Sequence, residues 1–189
     1  MKIYIVGISC VGKSTIGKLL AEQLGYLFYD LDIEVQNYYQ KPIERIQREC
    51  ITLNGYREKA SVVLEKLFNL RENAVISGTP SGLKYYYLQV YKKCKKETEI
   101  ISVHLMDNPN NILKRLTFYD IDSNLMNVKL DSDKKKRYLK EIIADLNYFK
   151  KSLCRADLQI NIEKMSFPQI TSLIIDEIRR CIGVRVNCL

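Results

Sequence analysis

The feature that most constrains the fold is a glycine-rich loop near the start of the chain, Gly7-Ile8-Ser9-Cys10-Val11-Gly12-Lys13-Ser14. An apolar run, 3–6, precedes it, and residues at helical spacing follow over 15–24. A strand that enters a helix through G-x-x-x-x-G-K-S is typical of a phosphate-binding loop, or P-loop. Its glycines let backbone N–H groups surround an anion, and the helix adds the positive end of its dipole. The pattern predicts a nucleotide site.

Two side chains of the loop suit a nucleoside triphosphate bound with Mg²⁺. Lys13 offers positive charge to the β- and γ-phosphates, and the Ser14 hydroxyl can ligate the Mg²⁺ that bridges them. We expect ATP to contact Gly7, Ser9, Cys10, Val11, Gly12, Lys13, Ser14 and Thr15. The loop alone leaves open whether phosphate is transferred or whether the protein only binds nucleotide.

The length of 189 residues, with 47% hydrophobic and 28% charged residues, is typical of a single globular domain over 1–189. The apolar runs are shorter than the roughly 18 residues that a membrane span needs. Because the chain passes directly from Met1 into the first strand, we expect no signal peptide and a cytoplasmic protein. We expect no membrane partner, and the monomer is the expected state.

Charge and cysteine content narrow the function further. The net charge of +8 is spread over helix faces and a cluster at 134–137, so we expect an anionic co-substrate rather than nucleic acid. Six cysteines occur without a C-x-x-C pair and with a single histidine, His104, which favours free thiols over disulfides or zinc. The cysteines are Cys10, Cys50, Cys94, Cys154, Cys181 and Cys188.

Hydrophobic patterns predict strands and helices that alternate along the chain. The expected strands cover 3–6, 26–32, 73–76, 99–106 and 157–162, and the expected helices cover 15–24, 33–38, 43–46, 57–70, 83–96, 109–116, 137–153 and 168–182. This alternation predicts an α/β fold of three layers, with five parallel strands between helices. The polar segment 117–136 lacks helical spacing and is predicted to form a mobile lid.

Two carboxylates close the second predicted strand. Asp30 and Asp32 alternate, so they point to opposite sides unless the turn begins earlier. One could face the metal and the other an acceptor hydroxyl, because phosphoryl transfer depends mainly on positioning and charge neutralisation. The alternative is a polar strand end or a helix cap. Arg57 and Arg115 could grip a carboxylate or phosphate, or could lie in solvent.

The sequence resembles shikimate kinase and its relatives among the nucleoside-monophosphate-kinase-like enzymes. The resemblance depends on the P-loop, Asp30-Leu31-Asp32 after Phe28, Gly55-Tyr56-Arg57, Gly78, Leu113-Lys114-Arg115, Arg155-Ala156-Asp157 and Pro168. It implies a kinase of a small hydroxylated metabolite. A nucleoside or nucleotide kinase and a non-catalytic nucleotide-binding module are the alternatives.

The resemblance also implies roles for single residues. Lys13, Ser14 and Asp30 would serve ATP and Mg²⁺, with Ser14 and Asp30 as metal ligands. The acceptor would meet Asp32, Arg57, Gly78 and Thr79, while Arg115 and Pro168 would flank the adenine. The catalytic residues would be Lys13, Asp32 and Arg115.

Three departures from the family pattern affect the acceptor. Gly78-Thr79-Pro80 replaces a glycine triplet, and the lid contains Phe118-Tyr119-Asp120-Ile121-Asp122 instead of an Arg-Pro-Leu-Leu-like stretch. The segment 142–146 brings Asp145 to the region where the family has a second substrate-binding arginine, and an acid there would repel a carboxylate. Four tyrosines of the helix 83–96 are expected in the core, or in a different acceptor pocket.

Overall fold

The computed structural model describes residues 1–186 of the chain. Cys188 therefore lies outside the described residues. The strands are β1 (Lys2–Val6), β2 (Leu27–Asp30), β3 (Ala74–Ser77), β4 (Ile100–Met106), β5 (Phe118–Tyr119), β6 (Leu125–Met126) and β7 (Leu158–Asn161). The helices are α1 (Lys13–Leu24), α2 (Leu31–Tyr39), α3 (Ile43–Glu49), α4 (Leu53–Phe68), α5 (Tyr85–Cys94), α6 (Pro109–Lys114), α7 (Ser132–Leu153) and α8 (Phe167–Val186).

Five strands form one parallel sheet in the order β2-β3-β1-β4-β7. The central strands β1 and β3 are buried along their whole length, because helices cover a parallel sheet and its strands then read as continuous apolar runs. This arrangement confirms the predicted α/β fold with five parallel strands. Within residues 1–186, none of the helices combines the length and apolar character of a membrane span.

The second strand ends two residues earlier than predicted. Asp30 is the last residue of β2 and the N-cap of α2, where its side chain accepts a hydrogen bond from the Asp32 backbone N–H at 3.1 Å. Asp32 therefore lies in the first turn of α2, and the prediction of a strand to Asp32 was wrong. The cap explains the change, since an aspartate at this position satisfies an N–H group that the helix leaves free.

Two other helices begin earlier than predicted because an N-cap residue precedes each of them. Thr52 caps α4 by accepting from the Gly55 N–H at 3.3 Å, so this helix begins at Leu53 instead of 57. Asp131 caps α7 by accepting from the Lys134 N–H at 2.8 Å, so that helix begins at Ser132 instead of 137. The segment 117–136 also contains an antiparallel hairpin of β5 and β6 that periodicity did not predict.

The tyrosines of α5 divide between core and surface. Tyr87 is fully buried and Tyr91 nearly so, which confirms the expectation of core packing for these two. Tyr91 packs against Tyr4 and Phe68 with ring centroids 6.4 Å and 6.2 Å away. Tyr85 is 67% exposed, so it remains available to a surface cleft.

Candidate active site

The candidate site lies at the carboxyl edge of the sheet, where parallel strands bring their following loops together. The P-loop follows β1, Asp30 ends β2, Gly78 follows β3 and Asp107 follows β4. Residues that follow or end four strands thus share one edge.

The backbone conformation of the P-loop explains why glycine occupies positions 7 and 12. Gly7 has φ 151° and Gly12 has φ 108°, both values that residues with a side chain rarely adopt. A Cβ atom on Gly7 would also lie 2.9 Å from the Leu105 carbonyl oxygen of β4. Gly12 is the N-cap of α1, has no side-chain cap and is followed by a first turn without acidic residues. The start of α1 is therefore suited to an anionic ligand.

Lys13 is buried beneath the loop, with 9% of its surface exposed. Its Nζ donates a hydrogen bond to the Ile8 carbonyl oxygen at 2.9 Å. Burial lowers the pKa of Lys13, while the carboxylates of Asp32 and Asp30 oppose that shift. The ammonium group is thus held within the loop, and both aspartates favour its charged form.

Ser14 and Asp30 place oxygen atoms side by side. Ser14 Oγ donates to Asp30 Oδ2 at 2.5 Å and lies 3.3 Å from the Oγ of Ser77, the last residue of β3. Hydroxyl and carboxylate oxygens are ligands that Mg²⁺ accepts, usually together with phosphate oxygens and water. These residues fit a Mg²⁺ bound with the nucleotide.

Asp32 lies in the first turn of α2, next to Asp30. Burial raises its pKa to about 6, and the neighbouring Asp30 charge adds to the shift. Its Oδ1 accepts a hydrogen bond from the Tyr56 hydroxyl at 3.2 Å. A carboxylate whose pKa lies near neutral can hold and accept a proton at physiological pH, which is a property of general bases.

Arg57 is held in a fixed position by two neighbours. It is 9% exposed, its Nε donates to Ser81 Oγ at 3.0 Å, and its NH1 donates to Asn54 Oδ1 at 2.8 Å. The side chain lines a cleft of about 450 Å³ between α4, the start of α5 and the end of α7. Other residues that line it are Lys84, Tyr85, Tyr148, Lys151 and Arg155.

The structure corrects the expectation about Asp145. The α7 residues that face Arg57 across the cleft are Tyr148, Lys151 and Ser152, whereas Asp145 is exposed and does not line the cleft. Residues three positions apart lie on the same side of a helix but about 4.5 Å apart along its axis, so an assignment from sequence alone that is wrong by three residues selects a different contact. The expected acid in the acceptor pocket is absent from the described lining.

The loop after β3 is tightly packed. The Gly78 N–H donates to the Ile5 carbonyl oxygen at 2.8 Å, and a Cβ atom at Gly78 would lie 2.7 Å from the Tyr4 ring. The Thr79 side chain is buried, with 3% of the residue exposed. The structure therefore does not bring the Thr79 side chain into the cleft.

Arg115 follows α6 and forms an ion pair with the buried carboxylate of Asp107. The pair fixes the guanidinium at the sheet edge, with one third of the side chain exposed. Close by, Cys10 Sγ of the P-loop lies 3.9 Å from Thr117 Oγ1 at the start of the predicted lid. Pro168 is exposed in the first turn of α8.

The hairpin of the predicted lid contacts the helices that follow β2. Arg45 donates to Asp122 Oδ1 from Nε at 3.0 Å and from NH2 at 2.6 Å. Ser123 Oγ donates to Gln36 Oε1 at 2.8 Å and also contacts Glu44. The tip of the hairpin is thus joined to α2 and α3, and α2 is the helix that carries Asp32.

Sequence reasoning missed several residues of the cleft, among them Lys84, Tyr148 and Lys151. They belong to no motif and come from two helices that are distant in sequence from Arg57. Only the amphipathic pattern of α7 indicated that one of its faces would be buried, and it could not show what that face would meet.

Comparison with known proteins agrees with this geometry. A family model described as Shikimate kinase matches residues 9–177. Shikimate kinase of Persephonella marina is 30% identical over 177 residues, which cover 94% of this chain and 98% of that protein. Shikimate kinase of Chlorobium phaeobacteroides is 43% identical over 76 residues, 40% of this chain and 38% of that protein. The crystal structure of shikimate kinase from Bacteroides thetaiotaomicron has the same fold, with a TM-score of 0.77, 20% identity and coverage of 95% and 98%.

The fold, the P-loop and these relatives define an ATP-dependent kinase of small molecules. The match to the family model extends over most of the chain, from the P-loop to α8. The chain belongs to the shikimate kinase family.

Proposed function

We propose that this protein transfers the γ-phosphoryl group of Mg²⁺-bound ATP to a hydroxyl group of a small hydroxylated metabolite, with shikimate as the first acceptor to test. The observation that carries the proposal is the contact between Ser14 of the P-loop and Asp30, the last residue of β2. Lys13, Ser14, Asp30 and Asp32 form one electrostatically coupled group, with Ser14 Oγ 2.5 Å from Asp30.

The P-loop side binds the nucleotide. The backbone from Gly7 to Thr15 and the Lys13 ammonium bind the phosphates, and Ser14 and Asp30 hold the Mg²⁺. When bound, Mg²⁺ neutralises charge on the β- and γ-phosphates. Arg115, fixed by Asp107, and Pro168 flank the adenine, and the Arg115 side chain can also reach toward the phosphates as a catalytic residue.

The acceptor lies on the opposite side of the transferred group. Asp32 orients the attacking hydroxyl and accepts its proton as the new oxygen–phosphorus bond forms, and the bond to ADP breaks. Tyr56 holds the Asp32 carboxylate in place through its hydroxyl. Arg57, the backbone of Gly78 and the Thr79 amide position the rest of the acceptor.

Segment 117–136 acts as a lid over this site. It begins beside the P-loop at Thr117 and contacts α2 and α3 through Asp122 and Ser123. A segment that contacts both the nucleotide loop and the helix of Asp32 can exclude water when both substrates are bound.

The protein acts as a cytoplasmic monomer of one domain.

The test is an assay of ADP release with ATP, Mg²⁺ and a panel of shikimate, sugars, sugar acids, nucleosides and nucleotides. We expect release that depends on shikimate or on another small hydroxylated acceptor. Release with nucleosides or nucleotides alone would support the nucleotide kinase alternative. ATP binding without acceptor-dependent release from any panel member would contradict the proposal and favour a non-catalytic module.

A further inference from the structure

The carboxylate of Asp32 is held by one side-chain donor, the hydroxyl group of Tyr56. Within residues 1–186, Asp32 Oδ1 accepts this hydrogen bond at 3.2 Å, and Asp32 Oδ2 has no hydrogen-bond partner. The Asp32 backbone N–H donates to Asp30 Oδ1 at 3.1 Å, a contact that fixes the backbone and leaves the side chain free to rotate. The orientation of the carboxylate therefore depends on Tyr56.

Tyr56 reaches Asp32 because of where α4 begins. Thr52 caps this helix by accepting from the Gly55 N–H, which places Tyr56 near the helix start. Successive residues point about 100° apart around a helix, so Tyr56 and Arg57 face different neighbours. The Tyr56 hydroxyl reaches α2, whereas the Arg57 side chain lines the cleft. Two adjacent residues of α4 can therefore have separate roles.

The Tyr56 hydroxyl acts as a hydrogen-bond donor in this contact. The residue is 6% exposed, and burial raises the pKa of Tyr56 far above its usual range, with the Asp32 charge adding to the shift. The phenol therefore keeps its proton at physiological pH. A buried tyrosine hydroxyl needs a hydrogen-bond partner, and the Asp32 carboxylate is the acceptor that Tyr56 finds.

Two other buried phenols close to Asp32 do not supply this contact. Burial raises the pKa of Tyr4, and the charges of Tyr87 and Asp32 add smaller shifts, which places Tyr4 within electrostatic reach of Asp32. The Tyr4 hydroxyl nevertheless donates to the Gly82 carbonyl oxygen at 2.9 Å. The Tyr87 hydroxyl is buried and has no hydrogen-bond partner in the described part of the chain. Among residues 1–186, Tyr56 is thus the phenol that hydrogen-bonds to Asp32.

We propose that Tyr56 is a positioning residue for phosphoryl transfer, whose hydroxyl holds the Asp32 carboxylate by Oδ1 and leaves Oδ2 to accept the proton. The proton of the acceptor hydroxyl passes to Asp32 Oδ2, and the electron pair of the broken O–H bond forms the bond to the γ-phosphorus. The bond between the γ-phosphorus and the bridging oxygen breaks, and its electron pair leaves on ADP. Tyr56 keeps its own proton throughout. This inference rests on the proposed function, and it adds that Tyr56 controls turnover and not substrate binding.

The test removes one hydroxyl group at a time. Tyr56→Phe removes the contact with Asp32 and keeps the aromatic ring in the core. Tyr39→Phe is the matched control, because the Tyr39 hydroxyl joins the same two helices by donating to the Lys59 carbonyl oxygen, also at 3.2 Å. Each change is made in the wild-type protein and in the Asp32→Asn background, and ADP release is measured with shikimate and with the other acceptors of the panel.

We expect Tyr56→Phe to lower kcat about tenfold, because a hydrogen bond to a charged group is lost. The KM values for ATP and for the acceptor should stay within about twofold of wild type, since Tyr56 acts through Asp32 and not on a substrate. Tyr39→Phe should keep kcat within about twofold of its parent in both backgrounds.

The Asp32→Asn background separates positioning from a structural contribution. A residue that acts through Asp32 has no effect once Asp32 is replaced, so Tyr56→Phe should cause no further loss of kcat there. A merely structural contribution of the Tyr56 hydroxyl would lower kcat by the same factor in both backgrounds. Circular dichroism and thermal melting of every variant separate a loss of turnover from a loss of fold.

The proposal would be overturned by wild-type kcat in Tyr56→Phe, by an equal loss in Tyr39→Phe, or by a loss that persists in the Asp32→Asn background. A raised acceptor KM with unchanged kcat would also overturn it, because Tyr56 would then be a binding residue. Wild-type protein that releases no ADP with any acceptor would contradict the proposed function and the Tyr56 role together. That failure is seen in the wild type, whereas a failure of the Tyr56 role alone is seen only in the variants.

Discussion

The two halves of the candidate site are built in different ways. The nucleotide half is local, since one loop and the first turn of α1 supply the P-loop residues from Gly7 to Thr15. The acceptor half is assembled from α2, α4, α5 and α7, whose side chains meet only in the folded protein. A local site can be identified from a motif, whereas a dispersed site can change its residues one at a time. The P-loop could therefore be recognised from the sequence, whereas the candidate acceptor cleft could not.

The largest expected effect concerns the nucleotide half. Lys13→Ala should lower kcat by about 10³-fold or more, because the buried positive charge of Lys13 no longer stabilises the phosphoryl group in transfer. Lys18→Ala, an exposed change on the same helix, is the control and should retain nearly full turnover. ADP release with the best acceptor measures both. A Lys13→Ala protein that folds and retains wild-type turnover would remove Lys13 from the mechanism.

Asp32 gives the next largest effect, at the boundary between the two halves. Asp32→Asn should lower kcat/KM by about 10²-fold, because the acceptor proton loses its base. In wild type, kcat/KM should decrease as the pH falls below the Asp32 pKa of about 6, because the carboxylate becomes protonated. The Asn variant should lack this acidic limb. An unchanged pH profile in the variant would assign the limb to another group.

Asp32→Asn should lower activity, but it should raise the stability of the folded protein. The pKa of Asp32 is raised to about 6 from an ordinary value of 3.8, so the folded protein binds a proton that the unfolded chain releases in this interval. The stability that this proton contributes is complete below the lower value and is lost as the pH rises through the upper one. At pH 7 Asp32→Asn should therefore raise the free energy of unfolding by about 1–2 kcal/mol. Denaturant titrations at pH 4 and pH 7 measure the difference, which should disappear at pH 4.

Arg57 tests whether the two halves are separate, because its substitution should affect the acceptor half alone. Arg57→Lys should raise the acceptor KM by about tenfold, because lysine cannot reproduce the fork that contacts Ser81 and Asn54. The KM for ATP should remain within about twofold of wild type. Arg71→Lys, an exposed position, is the control. Equal changes in both KM values would contradict the separation of the two halves.

The smallest expected effect concerns the lid. Asp122→Asn removes the partner of Arg45 in a pair that is about half exposed on each side. Because such surface pairs contribute about 0.5 kcal/mol, the acceptor KM should rise about twofold. Glu141→Gln, which breaks the exposed pair with Arg137 on α7, should leave the KM unchanged. A tenfold change would indicate that the hairpin participates directly in binding.

The sequence predicted the parallel sheet and the nucleotide half well, because both follow from local signals. Strand patterns alternate with helical ones, and the P-loop glycines, Lys13 and Ser14 lie within eight residues of each other in sequence. Helix starts were predicted less well. Asp30, Thr52 and Asp131 each act as an N-cap, and attention to capping residues would have moved those boundaries.

The acceptor cleft could not be predicted in the same way. Lys84 and Tyr148 meet across α5 and α7, and nothing in the local sequence of either residue indicates the other. Their contact depends on how the helices pack against the sheet, which periodicity does not define. Asp145 shows the limit directly, because a shift of three residues along α7 replaces an exposed acid with the cleft residue Tyr148.

The most direct test of the account is calorimetric titration of the wild-type protein with ATP in the presence of Mg²⁺. The central claim is that the P-loop and the buried Lys13 bind a triphosphate before any acceptor is present. We expect saturable heat that fits one site and a rise in melting temperature with ATP concentration. Absence of both heat and thermal protection would contradict the nucleotide site, and with it the roles assigned to Asp30, Asp32 and the acceptor cleft.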